Sequence, residues 1–317
     1  MTGIILGGLV VLGLIIGAAV TSGKGQKKLV KENIPENLGV LNLDATKPLL
    51  DLLDNALDDE YIRQVKHRFL QENPKRSEDE FEWLLFEMKR YFIVANLLKN
   101  VPMFSKEVDE IWHEMILFTK NYERFSDKFF GEMLHHIPNT KPEPAPQERA
   151  YFDWIFSQLF EVTEFSWKVW GSFFNHPFAS EMLKEFEEST QEKLIDIYFR
   201  KSDENKELSE YLVNKMKNQL KDAEAIYKVD KKGSFKKPET YGNLTSLSLA
   251  MIFFSTYHHD EYWDYAKEMA FNHTARETSG CTTAFFCGTG SSDSSGGGHG
   301  DGGGGSSCSS CGGGCSS

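Results

Sequence analysis

Asp109, His113, His135 and His136 are the residues whose types and spacing could do chemistry. Asp109 and His113 are four positions apart, so on a helix their side chains stand one turn apart and can meet. A carboxylate beside an imidazole fixes the ring's tautomer and orientation, as it does behind metal ligands and in acid–base pairs. A returning segment that carries His135 or His136 would add imidazole nitrogen, enough for a divalent metal such as zinc. The same residues also admit a plain structural use. Trp112 would pack in the core, and Asp109 would hydrogen-bond His113 or the backbone and set the helix's orientation. Glu110 with His113, and Glu132 with His135, have the Glu-x-x-His spacing of di-iron bundles. That architecture draws its pairs from well-separated helices and needs further inward carboxylates.

Two other groups are candidates. In His258-His259-Asp260, adjacent histidines point different ways on a helix, so only one would serve a site, and Asp260 reads as a helix cap. Cys308, Cys311 and Cys315 contain a Cys-x-x-Cys that can bind a soft metal or work as a thiol pair. A structural zinc site normally sits in a fold that shapes it, whereas these cysteines lie among glycine and serine. No glycine loop follows a strand to cradle phosphate, and no serine nucleophile elbow occurs.

Helices must position these residues. Ser77 and Glu80 form a capping box ahead of Phe81, Leu84, Leu85, Met88, Tyr91, Phe92 and Ala95, whose spacing predicts a helix that buries one face. A second helix is expected from Ser105. Val108, Ile111, Trp112, Met115, Phe118 and Tyr122 make its apolar stripe, with Asp109 and His113 at the stripe's edge. Pro138, Pro142, Pro144 and Pro146 mark an extended connector over 137–146, where a sub-boundary could fall. Helical patterning resumes over 147–174, 178–200, 206–229, 243–257 and 260–273, and no strand pattern survives inspection. The expected fold is all-α, a helical bundle-like domain over 45–278.

The ends differ from this domain. Gly3 to Val20 carries no charge and is near the lower limit for a membrane-spanning helix, which predicts a single-pass span over 1–21. Lys24, Lys27, Lys28 and Lys31 follow within a basic juxtamembrane linker over 22–44 and place the domain in the cytoplasm. Gly3 with Gly7, and Gly13 with Gly17, have the spacing that lets two spans approach, which would give a homodimer. Residues 279–317 hold 14 of the 26 Gly and all five Cys, a composition that predicts a disordered tail. The net charge of −12, with no basic stripe, argues against a nucleic-acid partner.

Met88-Lys89-Arg90-Tyr91-Phe92, Val108-Asp109-Glu110-Ile111-Trp112-His113, Tyr122, Gly131 and His135–His136 together resemble the core of the glycine-rich domain-containing protein-like family. The resemblance covers about residues 80–140. Family members often have a second histidine two positions after the Trp-His histidine, and Met115 stands there in this chain. The resemblance implies a helical domain and no particular reaction. The sequence therefore favours a membrane-tethered helical domain that binds a protein partner, without a complete catalytic set. The alternatives are a metal centre on His113 with Asp109 and His135 or His136, and metal or thiol handling by the cysteine tail.

Overall fold

The capping box holds as expected. Ser77 Oγ accepts the Glu80 N–H at 3.1 Å and Glu80 returns the bond to the Ser77 N–H at 2.8 Å. In the computed structural model, which describes residues 29–136 and 145–269, the helix it starts runs Glu78–Leu97. Twelve α-helices occur among the described residues, with short 3-10 turns and no strand. They are α1 Leu43–Ala56, α2 Asp59–Glu72, α3 Glu78–Leu97, α4 Lys106–Leu117, α5 Thr119–Phe130 and α6 Pro146–Leu159. There follow α7 Glu164–Trp170, α8 Ser180–Glu188, α9 Gln191–Tyr198, α10 Lys206–Val229, α11 Thr245–Tyr257 and α12 Tyr262–Met269. The expected membrane span over 1–21, the glycines within it, and the tail over 279–317 with Cys308, Cys311 and Cys315 lie outside the described residues. No helix among the described residues is long and apolar enough to cross a membrane.

Helix α3 buries far more than one face. Leu84, Leu85, Phe86, Glu87, Met88 and Arg90 to Leu97 are all buried, because α1, α2 and α4 pack around it and residues of α7 reach it from another side. A helix apolar nearly all round belongs in the interior. Two of its charges go in with it. Arg90 and Glu87 are both fully buried and 3.5 Å apart. Glu87 also accepts from Ser166 Oγ at 2.5 Å and Trp170 Nε1 at 2.8 Å. Arg90 donates to the Leu38 carbonyl at 2.8 Å, to Ser166 Oγ at 3.1 Å and to the Glu161 carbonyl at 2.9 Å. Burial lowers the guanidinium's pKa to about 10, with Glu87 opposing the shift, so Arg90 remains charged at neutral pH.

Within the expected linker over 22–44, these bonds bear on the described part alone, from residue 29 on. From Val30 onward the chain is fastened to the domain. The Val30 carbonyl accepts from Trp83 Nε1 at 3.1 Å, and Leu41 N–H donates to the Leu159 carbonyl at 2.8 Å. Asn37, Leu38 and Gly39 are all left-handed, with φ of 49°, 55° and 62°. This turn aims the Leu38 carbonyl at Arg90. A Cβ on Gly39 would stand 2.6 Å from Arg90 Nη2, so the position requires glycine on both counts. Basic residues ahead of an apolar stripe read as a linker because nothing local in the sequence announces a partner at position 90.

The second half is built on aromatic residues. Trp154, Trp167 and Trp170 are among the largest fully buried side chains. The stretch 178–200, one amphipathic pattern in the sequence, breaks into α8 and α9 at Ser189, and Thr190 Oγ1 caps α9 by accepting the Lys193 N–H. Asp260 makes no cap. It lies in a 3-10 turn over His259–Glu261 that leads into α12. Helix α10 lays Leu208, Leu212, Val213 and Met216 inward and packs on α11, α9, α8 and α6. The described residues on both sides of the proline connector lie in one compact unit.

Asp153 gives this half a pH dependence. Its carboxylate is fully buried, accepts from Arg149 Nε at 2.8 Å and from the Phe174 N–H at 2.7 Å, and so holds Phe174 at φ 60°. Burial raises the Asp153 pKa to about 6, against the pull of Arg149 and the Phe174 N–H. A carboxyl group whose folded pKa lies above its unfolded one favours the folded state when protonated. Its contribution is full below about pH 4 and is lost as pH rises through 6. Urea unfolding from pH 4 to 7 is expected to show wild-type stability falling relative to Asp153→Asn, by up to about 3 kcal/mol. A pH-independent difference between the two proteins would refute this.

Candidate metal centre

Ser105 Oγ caps α4 by accepting the Val108 N–H at 3.2 Å. That register sends Val108, Ile111, Trp112 and Met115 into the core and leaves Asp109 and His113 along the rim, one turn apart. The apolar stripe does not continue as one helix. Phe118, at φ −89° and ψ 62°, ends α4, and α5 starts anew at Thr119. The break folds α5 back, so that Tyr122, Phe125 and Phe129 are buried and Phe125 meets Phe92 of α3 at 4.9 Å between ring centroids.

Gly131 then reverses the chain. It caps α5 in the left-handed conformation, at φ 72° and ψ 1°, with its N–H on the Asp127 carbonyl. No atom lies within 4 Å of where a Cβ would be, so it is the backbone conformation that favours glycine here. The returning segment is held through two linked hydrogen bonds. Trp112 Nε1 donates to the Tyr122 hydroxyl at 2.9 Å, and that hydroxyl donates to the Leu134 carbonyl at 2.6 Å. Burial raises the Tyr122 pKa, which keeps the phenol neutral and able to donate.

Two residues further on, His136 arrives over Asp109. Its Nε2 is 2.8 Å from Asp109 Oδ1, and its ring stands nearly perpendicular to that of Trp112 at 4.6 Å and 4.5 Å from the ring of His113. His113 Nδ1 lies 3.4 Å from Asp109 Oδ2 and 2.8 Å from the Asp109 carbonyl. Asp109, His113 and His136 thus offer one carboxylate and two imidazoles whose ligand atoms all lie within 4.8 Å of one another. Ligands bound about 2.0–2.2 Å from one zinc ion stand about 3–3.5 Å apart. The two separations from Asp109 are close to that, and His113, 55 % exposed, has room to rotate and close the rest. His136 is 12 % exposed and Asp109 26 %, so the site sits at the surface with one wall sealed by Trp112.

Of the four candidate ligands in the sequence, three converge. His135 is exposed and takes no part, since adjacent side chains on an extended segment point to opposite sides. Met115, where a second histidine of that helix would have stood, is fully buried, and its carbonyl accepts from the Tyr61 hydroxyl at 2.7 Å. A histidine there would point into the core, and the second imidazole comes from His136 instead. The Glu-x-x-His pairs do not form, because Glu110 turns to Arg76 and Glu132 to Arg200. His258 bonds the Lys231 carbonyl through Nε2, and His259 packs by Trp263, so the second histidine group makes no shared site among the described residues. Tyr91, which packs on Trp112 at 5.5 Å and donates to the Val101 carbonyl, braces the wall from behind. Burial and the charge of Asp109 push its phenol pKa up.

A family model described as UCP032817-like matches residues 51–159 of the chain, a stretch that contains Asp109, His113 and His136. No curated protein and no solved structure matches it.

Proposed function

We propose that this chain is a metal-binding helical protein whose divalent ion, of the zinc class, is held by Asp109, His113 and His136. The observation that carries this reading is the delivery of His136, from a separate segment, to within 2.8 Å of a carboxylate that already faces His113. Two imidazoles and one carboxylate suit zinc and the neighbouring transition metals better than calcium or magnesium, which prefer oxygen ligands. Three protein ligands are one short of a closed structural zinc centre, so a water or an external donor completes the shell. The exposure of His113 puts that open position towards solvent.

The partner-binding reading rests on the charged helices between Phe178 and Val229. Most of their apolar residues pack within the domain, although Ile197 and Val229 are exposed, and no metal-ligand cluster described there matches the convergence at Asp109. The apolar run from Gly3 to Val20 and the lysines after it support a membrane tether with the domain on the cytoplasmic side.

The test is metal content after chelation and reloading with zinc. The full chain in which Cys308, Cys311 and Cys315 are all serine is expected to retain one ion. Asp109→Ala, His113→Ala and His136→Ala in that background are each expected to lose it, whereas His135→Ala keeps it. A metal-free triple-serine chain, or retention of the ion in Asp109→Ala, would sink the reading. Metal that leaves with the cysteines would point to the tail.

A further inference from the structure

We propose that Tyr122 is a positioning residue for the metal, acting through the chain Trp112 Nε1–H to Tyr122 O–H to the Leu134 carbonyl and so setting where His136 stands. The inference rests on the metal reading above and goes beyond it, because Tyr122 touches no ligand atom.

Three observations converge on Tyr122. First, its hydroxyl is the one described side-chain group that grips the backbone between Gly131 and His136. It donates at 2.6 Å to the carbonyl two residues before the ligand. Second, the hydroxyl is itself fixed. Trp112 donates into it at 2.9 Å, and both side chains are buried, at 1 % and 4 % exposure. A buried hydroxyl that accepts one bond and donates another has a single orientation, so the Leu134 carbonyl has a single resting place. Third, the donor to this relay is the residue between the other two ligands. Trp112 lies on α4 between Asp109 and His113, and its ring stands roughly perpendicular to the His136 ring at 4.6 Å between centroids. The helix that carries Asp109 and His113 thereby helps to set the position of His136 through a route that needs no ion.

Besides this bond, the returning segment is held by the Glu132–Arg200 ion pair and by the packing of Leu134 on the core. Gly131, Glu132, Met133 and His135 are exposed. Without the Tyr122 hydroxyl the segment would sample other conformations, and metal binding would have to order it. Outer contacts of this kind typically change metal affinity by about 10–100-fold.

The experiment uses the full chain loaded with cobalt(II). Affinity is read by competition with a chromophoric chelator. Coordination is read from hyperfine-shifted imidazole resonances, one set for each bound histidine. Wild type is expected to show two sets. Tyr122→Phe, which keeps the ring and removes only the hydroxyl, is expected to bind about 10–100-fold more weakly and to lose the His136 set. A purely structural role would lower the melting temperature and leave two imidazoles bound. Tyr122→Phe with two sets and wild-type affinity overturns the proposal.

Should Tyr122→Phe fail to fold, Gly131→Ala carries the test. It strains the same segment at an exposed position, and a shift of the chain towards His136 relieves that strain. It is expected to weaken cobalt binding about fivefold, in line with the cost of a left-handed alanine, and unchanged binding overturns the proposal. A wild-type chain that takes up no cobalt overturns the metal reading and this inference together. Wild-type uptake with unaffected variants overturns this inference alone.

Discussion

Arg90→Met is expected to destabilise the domain by about 3–5 kcal/mol, the usual cost of removing one partner from a buried ion pair. In a domain of this size that lowers the melting temperature by roughly 10 °C. The loss has two parts. Glu87 keeps its bonds from Ser166 and Trp170 but is left as a buried carboxylate without a counter-charge. The Leu38 and Glu161 carbonyls also lose their donors. The double variant Glu87→Gln, Arg90→Met is expected to be more stable than Arg90→Met alone, because the stranded charge is gone. Thermal unfolding of the three proteins checks this. A single variant within about 1 kcal/mol of wild type would show that water reaches Glu87.

Metal is expected to stabilise the folded chain in a ligand-dependent way. At a free zinc concentration 100-fold above the dissociation constant, a site present only in the folded state adds about 2.7 kcal/mol. That corresponds to a rise in melting temperature of about 5–10 °C, removed by a chelator. Asp109→Ala is expected to abolish the shift and His135→Ala to leave it intact. The two variants differ in whether a ligand is lost, so equal shifts in both would place the stabilising ion elsewhere. The effect should also be visible as a tightening of the segment after Gly131, read by slower amide exchange at Leu134 to His136.

Much of this architecture was legible in the sequence, and the parts that were not share a cause. The capping box at Ser77, the helix start at Ser105, the inward register of Val108, Ile111 and Met115, and the run of α10 follow from local spacing, and the structure places each as expected. The pairing of Asp109 with His113 is also local, one helical turn on an exposed rim. What spacing could not show is contact across the chain. Arg90 meets Leu38, Glu161 and Ser166, between 52 and 76 residues away, and nothing near position 90 names them. The choice of His136 over His135 depends on the phase of an irregular segment, which has no period to read. The break at Phe118 is of the same kind. An apolar stripe from Val108 to Tyr122 fits one helix as well as two that fold back on each other, and tertiary packing decides between them.

The reach of Arg90 also sets the smallest piece of the chain that can fold on its own. The family model covers residues 51–159, yet the described acceptors of the guanidinium at Leu38, Glu161 and Ser166 all fall outside that span. So do Ser166 and Trp170, the donors to Glu87. A fragment cut to the matched limits would keep the entire metal-ligand set and strand two charges in its interior. The segment that resembles other proteins and the segment that folds are therefore different objects here. The proposed ion site is compact in sequence, while the cooperative unit that supports it must extend at least from Leu38 to Trp170.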